Sequence, residues 1–395
     1  VFEGLTTTVL FVSKGFLTNP FVLFPFFCIF IKKNPKAMYI SKKKPSYPIH
    51  QGLRKYLKKY GREDDIAVSY SDMLRWQESS PVIDSDGKNT YWNSVIYDVS
   101  IRDEILSVLK SIYAELKTDG DTEVISHLTV GRIDYCLFGN SHPFRVKIVN
   151  VLNDNHDYFY IKKADASRVY GLELEHILSP NRIDYIVDGD TLVEAHIAGI
   201  PGDQFLEHYL DYPNFYPTGL AKEFVKFNER CFIMLLGDMR AYNYVIDVTP
   251  DFDREQYRVR PIDFDQTAYE GRKNHYLPQF YKDNNKIVDF CIQLLTPETV
   301  EQYRYEERVL MKRRYQISQS RINRLLGAML YQELSTPEKV ASLAKDLNVY
   351  HNTKRFSKYK HMGRILKSHL SLMLGKPKPK KYPGKTEFKG KAKHK

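Results

Sequence analysis

Cysteine is scarce in this chain, and no two cysteines lie close together in the sequence. Only four of the 395 residues are cysteine, and no Cys-x-x-Cys pair occurs. Closely spaced cysteines are typical of disulfide frameworks and of structural zinc sites. We therefore predict neither kind of site, and we interpret the thiols as small apolar groups of a protein that stays in the reducing cytoplasm.

A long uninterrupted apolar run is also missing. The most apolar stretch, residues 21–31, contains Pro25 and is followed by Lys32 and Lys33. It is shorter than the roughly 20 residues that a helix needs to cross a bilayer. Its charges follow the apolar residues, whereas those of a signal peptide precede them. We expect no stable membrane insertion, and we interpret residues 1–37 as an over-extended or disordered N-terminus, with a membrane anchor as the alternative.

Acidic residues are few at the two ends of the chain, and the formal net charge is +11. Residues 376–395 contain nine Lys and one Glu, and residues 1–37 contain four Lys and one Glu, so the stretch 38–375 is formally neutral. The basic charge therefore belongs to the ends and does not mark a nucleic-acid-binding domain. We interpret residues 376–395 as a disordered basic tail, with weak nonspecific contact to nucleic acid or acidic surfaces as its expected interaction.

Between these ends the hydrophobic pattern changes twice. Residues 38–121 contain helical patches, which predict a helical N-terminal extension. Residues 122–199 alternate like strands, apart from one helical segment at 166–178, and residues 200–375 mostly have helical spacing. We therefore predict an α+β protein in which an antiparallel sheet with one helix precedes a mostly helical region. The predicted strands are 130–138, 144–152, 158–163, 183–187 and 191–198.

The chemically informative stretch is residues 231–267. It places Asp238 after an apolar helix, Asn243 just before one short strand and Asp263 just after a second. One carboxylate can orient an attacking hydroxyl, and an amide and a second carboxylate are hard oxygen ligands for Mg²⁺. Such a set is suited to phosphoryl transfer, in which positioning and charge neutralisation do most of the catalysis. The two strands, 244–247 and 257–262, are expected to pair as a hairpin that brings Asn243 and Asp263 to the same end.

The Gly-Asp-x-x-x-x-Asn loop that ends at Asn243, followed by the Ile-Asp-Phe sequence around Asp263, resembles the catalytic loop and metal-binding motif of the protein-kinase-like superfamily. The sequence of this motif resembles the aminoglycoside, choline and lipid kinase branches more than the protein kinases, which usually carry His-Arg-Asp and Asp-Phe-Gly. The resemblance covers roughly residues 124–334. It implies a two-lobed fold with extra helices, in which residues 122–199 form the N-lobe and 200–375 a helical C-lobe.

The resemblance also implies roles for the residues of the catalytic segment. ATP would bind between the lobes, and Asp238 would orient the acceptor hydroxyl. Arg240 would neutralise charge that develops on the γ-phosphoryl group. Asn243 and Asp263 would hold Mg²⁺, while Asp265 would be a second metal ligand or a surface residue.

In the N-lobe the resemblance points to a nucleotide site. Lys162, with Lys163 as the alternative, would position the α and β phosphates, and Glu173 or Glu175 on the following helix would hold that lysine in place. A turn would replace the glycine-rich loop and face phosphate through its backbone N–H groups. Its residues are Gly139, Asn140 and Ser141.

Residues 192–199 resemble the strand and hinge that contact adenine in small-molecule kinases. This stretch includes Glu194 and His196, and its expected contacts are those of the backbone. We interpret His196 as a hinge or surface residue and not as a catalytic base.

The function predicted on this basis is ATP- and Mg²⁺-dependent phosphate transfer to a hydroxyl of a small-molecule, sugar or lipid-type acceptor. One alternative is a pseudokinase that binds a partner, because the turn at Gly139 has only one glycine. Another alternative is DNA binding, because residues 340–349 resemble a helix-turn-helix with Asn348 in the turn. The basic residues that would then face phosphates are Arg355, Lys358, Lys360 and Arg364.

Overall fold

The computed structural model describes residues 44–84, 87–118, 123–138, 141–252 and 254–375. The interpretations of residues 1–37 and of the 376–395 tail lie outside these ranges, as do the predictions for Gly139 and Asn140. Within them, Cys136, Cys231 and Cys291 are free thiols. No helix of this described part is both long and apolar enough to cross a membrane.

The first part of the chain contributes helices and a β-hairpin. The two hairpin strands pair with each other, and the second strand also pairs with the strand that begins at Leu128. The segment that we expected to be helical therefore also extends the sheet by two strands. Its elements are α1 (Gln51–Lys59), α2 (Tyr70–Met73), β1 (Glu78–Ile83), β2 (Asn89–Ile96) and α3 (Val99–Thr118).

The main sheet has seven strands in the order β1-β2-β3-β4-β5-β7-β6, and each neighbouring pair is antiparallel. Apolar residues alternate along β4, where Phe144, Val146 and Ile148 are buried on one face. The predicted order of three strands, a helix and two strands is confirmed. These elements are β3 (Leu128–Cys136), β4 (Phe144–Asn150), β5 (His156–Lys163), α4 (Ala166–Leu178), β6 (Tyr185–Asp188) and β7 (Thr191–Ala195).

Helix α4 is almost entirely buried, which is unusual for a helix that begins with a polar turn. Asp165 caps it by accepting a hydrogen bond from the backbone N–H of Arg168 at 3.3 Å. Every residue of the helix except His176 is buried, because α4 also packs against helices of the C-terminal region. Charged residues on α4 must therefore be paired internally.

The C-terminal region is mostly helical and contains one small sheet of strand order β10-β9-β8. Helix α6 crosses its core, where Leu220, Phe224 and Phe227 are buried. Its elements are β8 (Ile200–Pro201), α5 (Gly202–His208), α6 (Pro217–Met234), β9 (Tyr244–Thr249), β10 (Gln256–Pro261), α7 (Asn285–Leu294), α8 (Pro297–Ile317), α9 (Gln319–Met329), α10 (Pro337–Tyr350) and α11 (Met362–Leu374).

The buried apolar residues form two clusters. One lies between the main sheet and α3 and includes Leu109, Phe144 and Phe159. The other joins α1 and α4 to the helices of the C-terminal region. The predicted α+β class, with a two-lobed kinase-like arrangement and extra helices, is confirmed by this element order and sheet order.

The alternative of a helix-turn-helix at residues 340–349 is wrong. Helix α10 runs without interruption from Pro337 to Tyr350, through Asn348. Instead of starting a turn, Asn348 uses its side chain to accept from the backbone N–H of Phe356 at 3.0 Å and to donate to Ser357 at 2.7 Å. The apolar spacing on both sides of Asn348 therefore belongs to one face of a single helix.

Candidate functional site

The loop between α6 and β9 is shaped by left-handed backbone positions. Helix α6 ends at Met234, its C-cap residue Leu235 has a φ of 52°, and Asp238 has a φ of 58°. The backbone N–H of Asp238 is held by two acceptors, the carbonyl oxygen of His275 at 3.2 Å and the hydroxyl of Tyr281 at 3.0 Å. Asp tolerates this conformation better than most residues. The loop is therefore fixed by its surroundings, and Asp238 is held at a sharp change of chain direction.

The side chains of this loop also contact one another. Arg240 donates from Nε to Oδ1 of Asp238 at 3.1 Å, and Asn243 donates from Nδ2 to the carbonyl oxygen of Asp238 at 2.6 Å. Burial raises the pKa of Asp238, although the adjacent guanidinium of Arg240 opposes that effect. The predicted residues Asp238, Arg240 and Asn243 are thus brought together in one hydrogen-bonded loop.

Strands β9 and β10 form the hairpin that the sequence predicted. Tyr244 lies opposite Pro261, and the backbone N–H of Ile262 donates to the carbonyl oxygen of Asn243 at 3.0 Å. Asn243 precedes β9 directly, and Asp263 follows β10 by two residues. The prediction that both residues lie at the same end of this hairpin is confirmed.

Asp263 and Asp265 share one cation that we did not predict. Nη1 of Arg168 donates to Oδ1 of Asp263 at 2.9 Å and to Oδ1 of Asp265 at 3.0 Å. Burial and the neighbouring carboxylate of Asp265 raise the pKa of Asp263 to about 6. Burial acts in the same direction on Asp265, but the positive charges of Arg168, Lys44 and Lys162 together outweigh it and lower the pKa of that carboxyl.

The same guanidinium connects these acids to the N-lobe. Arg168 also donates to both carboxylate oxygens of Glu194, and Nζ of Lys162 donates to Oε2 of Glu194 at 2.8 Å. Burial alone would raise the pKa of Glu194, but Arg168 and Lys162 hold it at about 2. Burial, followed by the positive charge of Arg168, lowers the pKa of Lys162. We call Lys162, Arg168, Glu194, Asp263 and Asp265 the charge cluster.

The expectation that Glu173 or Glu175 holds Lys162 in place is wrong. Glu173 accepts from the hydroxyls of Tyr56 and Tyr185 and from Nη2 of Arg321 at 2.9 Å. The carboxylate of Glu175 accepts at 2.5 and 2.8 Å from the two side chains that follow α4, Ser179 and Asn181. The first turn of α4 presents Arg168 to the site, whereas these two acids lie further along the helix.

Glu194 has a different role from the one we expected. The resemblance placed it in the adenine-contacting stretch, where backbone groups would matter. Its side chain is instead buried and is the partner of Lys162, which faces it from the neighbouring strand β5. His196, just beyond β7, lies 3.2 Å from the hydroxyl of Tyr160 through Nδ1, and burial lowers its pKa.

A cavity of about 180 Å³ adjoins the charge cluster. It brings Ser141, the described residue of the predicted phosphate turn, to the same space as Asp265. Lys44 lines it as well, held to Asp165 by an ion pair of 2.7 Å. The alternative lysine, Lys163, is exposed and lines this cavity, whereas Lys162 is buried in the charge cluster.

The side-chain oxygen atoms at the end of the β9–β10 hairpin are of the kind that Mg²⁺ prefers. Asp263 and Asp265 each use Oδ1 to bind Arg168, and no described residue donates to Oδ2 of either one. Asn243 uses Nδ2 for the loop, which leaves its Oδ1 without a described donor. No group of three or more His, Cys, Asp or Glu suited to a metal occurs in the described part of the chain. Two carboxylates and one amide are therefore the protein ligands that the chain can offer a hard cation here.

Among the comparisons with known proteins, the one with solved structures gives matches. No family model matches the chain, and no curated protein matches it. Solved structures similar to it include titin kinase with its flanking domains, at a TM-score of 0.26 and 12% identity, covering 62% of this chain and 55% of that one. Another is the autoinhibited serine kinase domain of the giant muscle protein titin, at a TM-score of 0.26 and 10% identity, covering 62% of this chain and 94% of that one. Similarity at this level says nothing about activity. The resemblance of the catalytic segment to aminoglycoside, choline and lipid kinases stays a prediction.

Proposed function

We propose that this protein is an ATP- and Mg²⁺-dependent phosphotransferase whose acceptor is a hydroxyl of a small-molecule, sugar or lipid-type compound. The observation that supports this most is the convergence of two separate parts of the chain. Asn243 and Asp263 leave one end of a single hairpin, and Arg168 connects Asp263 to Glu194 and Lys162.

Asp238 is the residue that we assign to the acceptor. Its Oδ1 is bound by Arg240, while no described residue donates to its Oδ2. Because burial raises its pKa, the carboxylate is a better proton acceptor than an exposed Asp. It would orient the attacking hydroxyl and at most transiently accept its proton, with Arg240 close enough to neutralise charge on the transferred group.

The charge cluster would hold the nucleotide phosphates. Mg²⁺ held by Asn243, Asp263 and Asp265 would neutralise phosphate charge and align the transferred group. Lys162 has a single carboxylate partner, Glu194, which Arg168 also binds through two donors. Lys162 can therefore turn towards a phosphate while Glu194 stays neutralised by Arg168.

A second candidate function is a pseudokinase that binds a partner without turnover. The observation that favours it is the internal pairing of the charge cluster. Arg168 is already paired with Asp263 and Asp265, and Lys162 is already bound to Glu194. A site whose charged groups are paired without a ligand has less to gain from binding a nucleotide.

Phosphate transfer distinguishes the two functions. The full chain would be incubated with ATP and MgCl₂ and a panel of sugars, amino alcohols and lipids, and phosphorylated product would be measured. We expect turnover with at least one acceptor class, and we expect Asp238→Asn to suppress it while ATP binding remains. The control is Asp211→Asn, at an exposed Asp outside the site. Equal turnover in both variants would remove Asp238 from this role, and ATP binding without any turnover would favour the pseudokinase.

A further inference from the structure

A second cavity lies in the C-terminal region, between the end of α9 and the start of α11. Its volume is about 420 Å³, which falls in the range of roughly 300–1,000 Å³ that is usual for small-ligand pockets. None of its lining residues belongs to the charge cluster or to the catalytic loop. They are Tyr331, Lys358, Tyr359, Lys360, His361 and Arg364.

The cavity is lined by cations and by no acid. Residues 351–375 contain six Lys or Arg and no Asp or Glu, although residues 38–375 as a whole are formally neutral. Lys358, Lys360 and Arg364 form no ion pair with any described residue, whereas the cations of the charge cluster are all paired. Like charges that share a concave surface repel one another, and a bound anion relieves that repulsion.

The aromatic residues of the cavity position these cations without neutralising them. The guanidinium of Arg364 lies 5.1 Å from the ring centroid of Tyr331, and Nζ of Lys358 lies 5.8 Å from that of Tyr359. A ring face attracts a cation through its quadrupole but carries no net charge. The cationic groups therefore keep their capacity to bind an anion.

The N-terminus of α11 adds backbone donors at the same place. This helix has 13 residues, and its N-cap, His361, makes no side-chain capping bond. The backbone N–H groups of Met362 and Gly363 have no acceptor among the described residues. A Cβ on Gly363 would lie 2.1 Å from the carbonyl oxygen of Met329, so glycine lets this first turn pack on the end of α9. Unsatisfied N–H groups at the positive end of a helix dipole favour anions.

We propose that this cavity binds a compact, multiply charged phosphate-bearing small molecule. The cations converge on one concave site, whereas a nucleic-acid interface usually presents a stripe of positive charge that follows the backbone. Helix α10 is continuous and supplies no helix-turn-helix beside them. Arg364 and the lysines provide charge-assisted donors from several directions, which suits the oxygen atoms of a phosphate group.

Calorimetric titration of the full chain with inorganic tripolyphosphate tests this proposal. We expect binding that Arg364→Gln and Lys360→Gln each weaken by roughly tenfold, because each variant removes a charged donor. Lys367→Gln is the matched control, since Lys367 lies on α11, is exposed and does not line the cavity. In Lys162→Met, which impairs the nucleotide site, the binding that Arg364→Gln and Lys360→Gln weaken should remain, which separates it from the nucleotide site. Lys360 is exposed, so its variant is expected to fold even if Arg364→Gln does not.

Three outcomes would overturn the proposal. Equal tripolyphosphate affinity in Lys360→Gln, Arg364→Gln and Lys367→Gln would mean that the cavity contributes nothing beyond general charge. Loss of all binding in Lys162→Met would assign the anion to the charge cluster. Tighter binding of an RNA or duplex DNA oligonucleotide than of tripolyphosphate, weakened by the same two cavity variants, would identify a nucleic-acid interface instead.

Discussion

Replacing Arg168 by glutamine tests the charge cluster most severely. Arg168 has 2% of its surface exposed and donates to both oxygens of Glu194, to Asp263 at 2.9 Å and to Asp265 at 3.0 Å. The variant leaves these three carboxylates with Lys162 as their remaining cation. Removal of one partner from a buried ion pair usually costs about 3–5 kcal/mol, because an uncompensated charge stays buried.

The expected loss in Arg168→Gln lies at the lower end of that range, at about 3 kcal/mol, because water can reach Asp263. Its side chain is 31% exposed. The loss should grow as the pH rises. Without Arg168 the pKa values of Asp263 and Asp265 rise, so ionising these carboxyls costs the folded variant more than the wild type. Below the carboxyl pKa values the difference should shrink.

Urea denaturation of the full chain at pH 5 and pH 8, with and without MgCl₂, measures these effects. The control is Arg182→Gln, at an exposed arginine outside the cluster. We expect Mg²⁺ to stabilise Arg168→Gln more than the wild type, because the cation replaces part of the missing charge at Asp263 and Asp265. A loss in Arg168→Gln within about 1 kcal/mol of the control at pH 8 would refute the cluster as a buried charge network.

Three further substitutions test neighbouring parts of the structure. Since the pKa of Asp263 is raised to about 6, its contribution to stability is present below the usual value of 3.8 and is lost as the pH rises through about 6. Metal-free Asp263→Asn should therefore melt at a higher temperature than the wild type at pH 8 but not near pH 4, and a lower melting temperature at pH 8 would contradict this. Gly171→Ala should cost about 2 kcal/mol or more, because its Cβ would lie 2.2 Å from Oγ1 of Thr267. Gly327→Ala, where nothing lies within 4 Å, is its control, and equal stabilities in denaturation would argue against the close contact. Glu173→Gln should lower stability through Tyr56 and Arg321 but leave nucleotide affinity unchanged, and a parallel loss of affinity in a titration would restore its predicted role beside Lys162.

The hairpin of the catalytic segment was predictable because its determinants are local. Two short apolar strands flank a polar turn, and their antiparallel pairing alone brings Asn243 and Asp263 to one end. The same holds for the strand and helix order of the N-lobe, in which turn residues and hydrophobic period coincide. Local patterns of this kind do not depend on which distant residues a strand or helix packs against.

The partner of Lys162 was not predictable in the same way. Arg168 lies 95 residues from Asp263 in sequence, and Lys44 lies 121 residues from Asp165. Nothing in the residues around Glu194 indicates that its side chain would be the partner of Lys162. The only signal for Arg168 was a cation in the first turn of a helix with a long apolar stripe, where burial requires an acidic partner. Pairing of buried charges depends on tertiary packing, which spacing along the chain does not encode.

The apolar spacing at residues 340–349 suggested a helix-turn-helix that the structure does not have, and the reason is physical. A helix-turn-helix and one continuous amphipathic helix place apolar residues at similar intervals, and the turn is distinguished mainly by glycine. Asn348 is compatible with both, and in the structure its side chain bonds to Phe356 and Ser357, beyond the end of the continuous helix. Three of the basic residues that follow, Lys358, Lys360 and Arg364, line a cavity.

Calorimetric titration of the full chain with ATP, in MgCl₂ and again in EDTA, tests the central claim most directly. We expect binding in MgCl₂ that weakens in EDTA, and a loss of roughly tenfold or more in Lys162→Met, which removes a charged donor to phosphate. Asp263→Asn should lose most of the Mg²⁺ dependence, whereas Asp238→Asn should bind like the wild type. Absence of ATP binding by the folded wild-type protein in both conditions, or identical binding in MgCl₂ and EDTA, would contradict an Mg²⁺-dependent nucleotide site at the charge cluster.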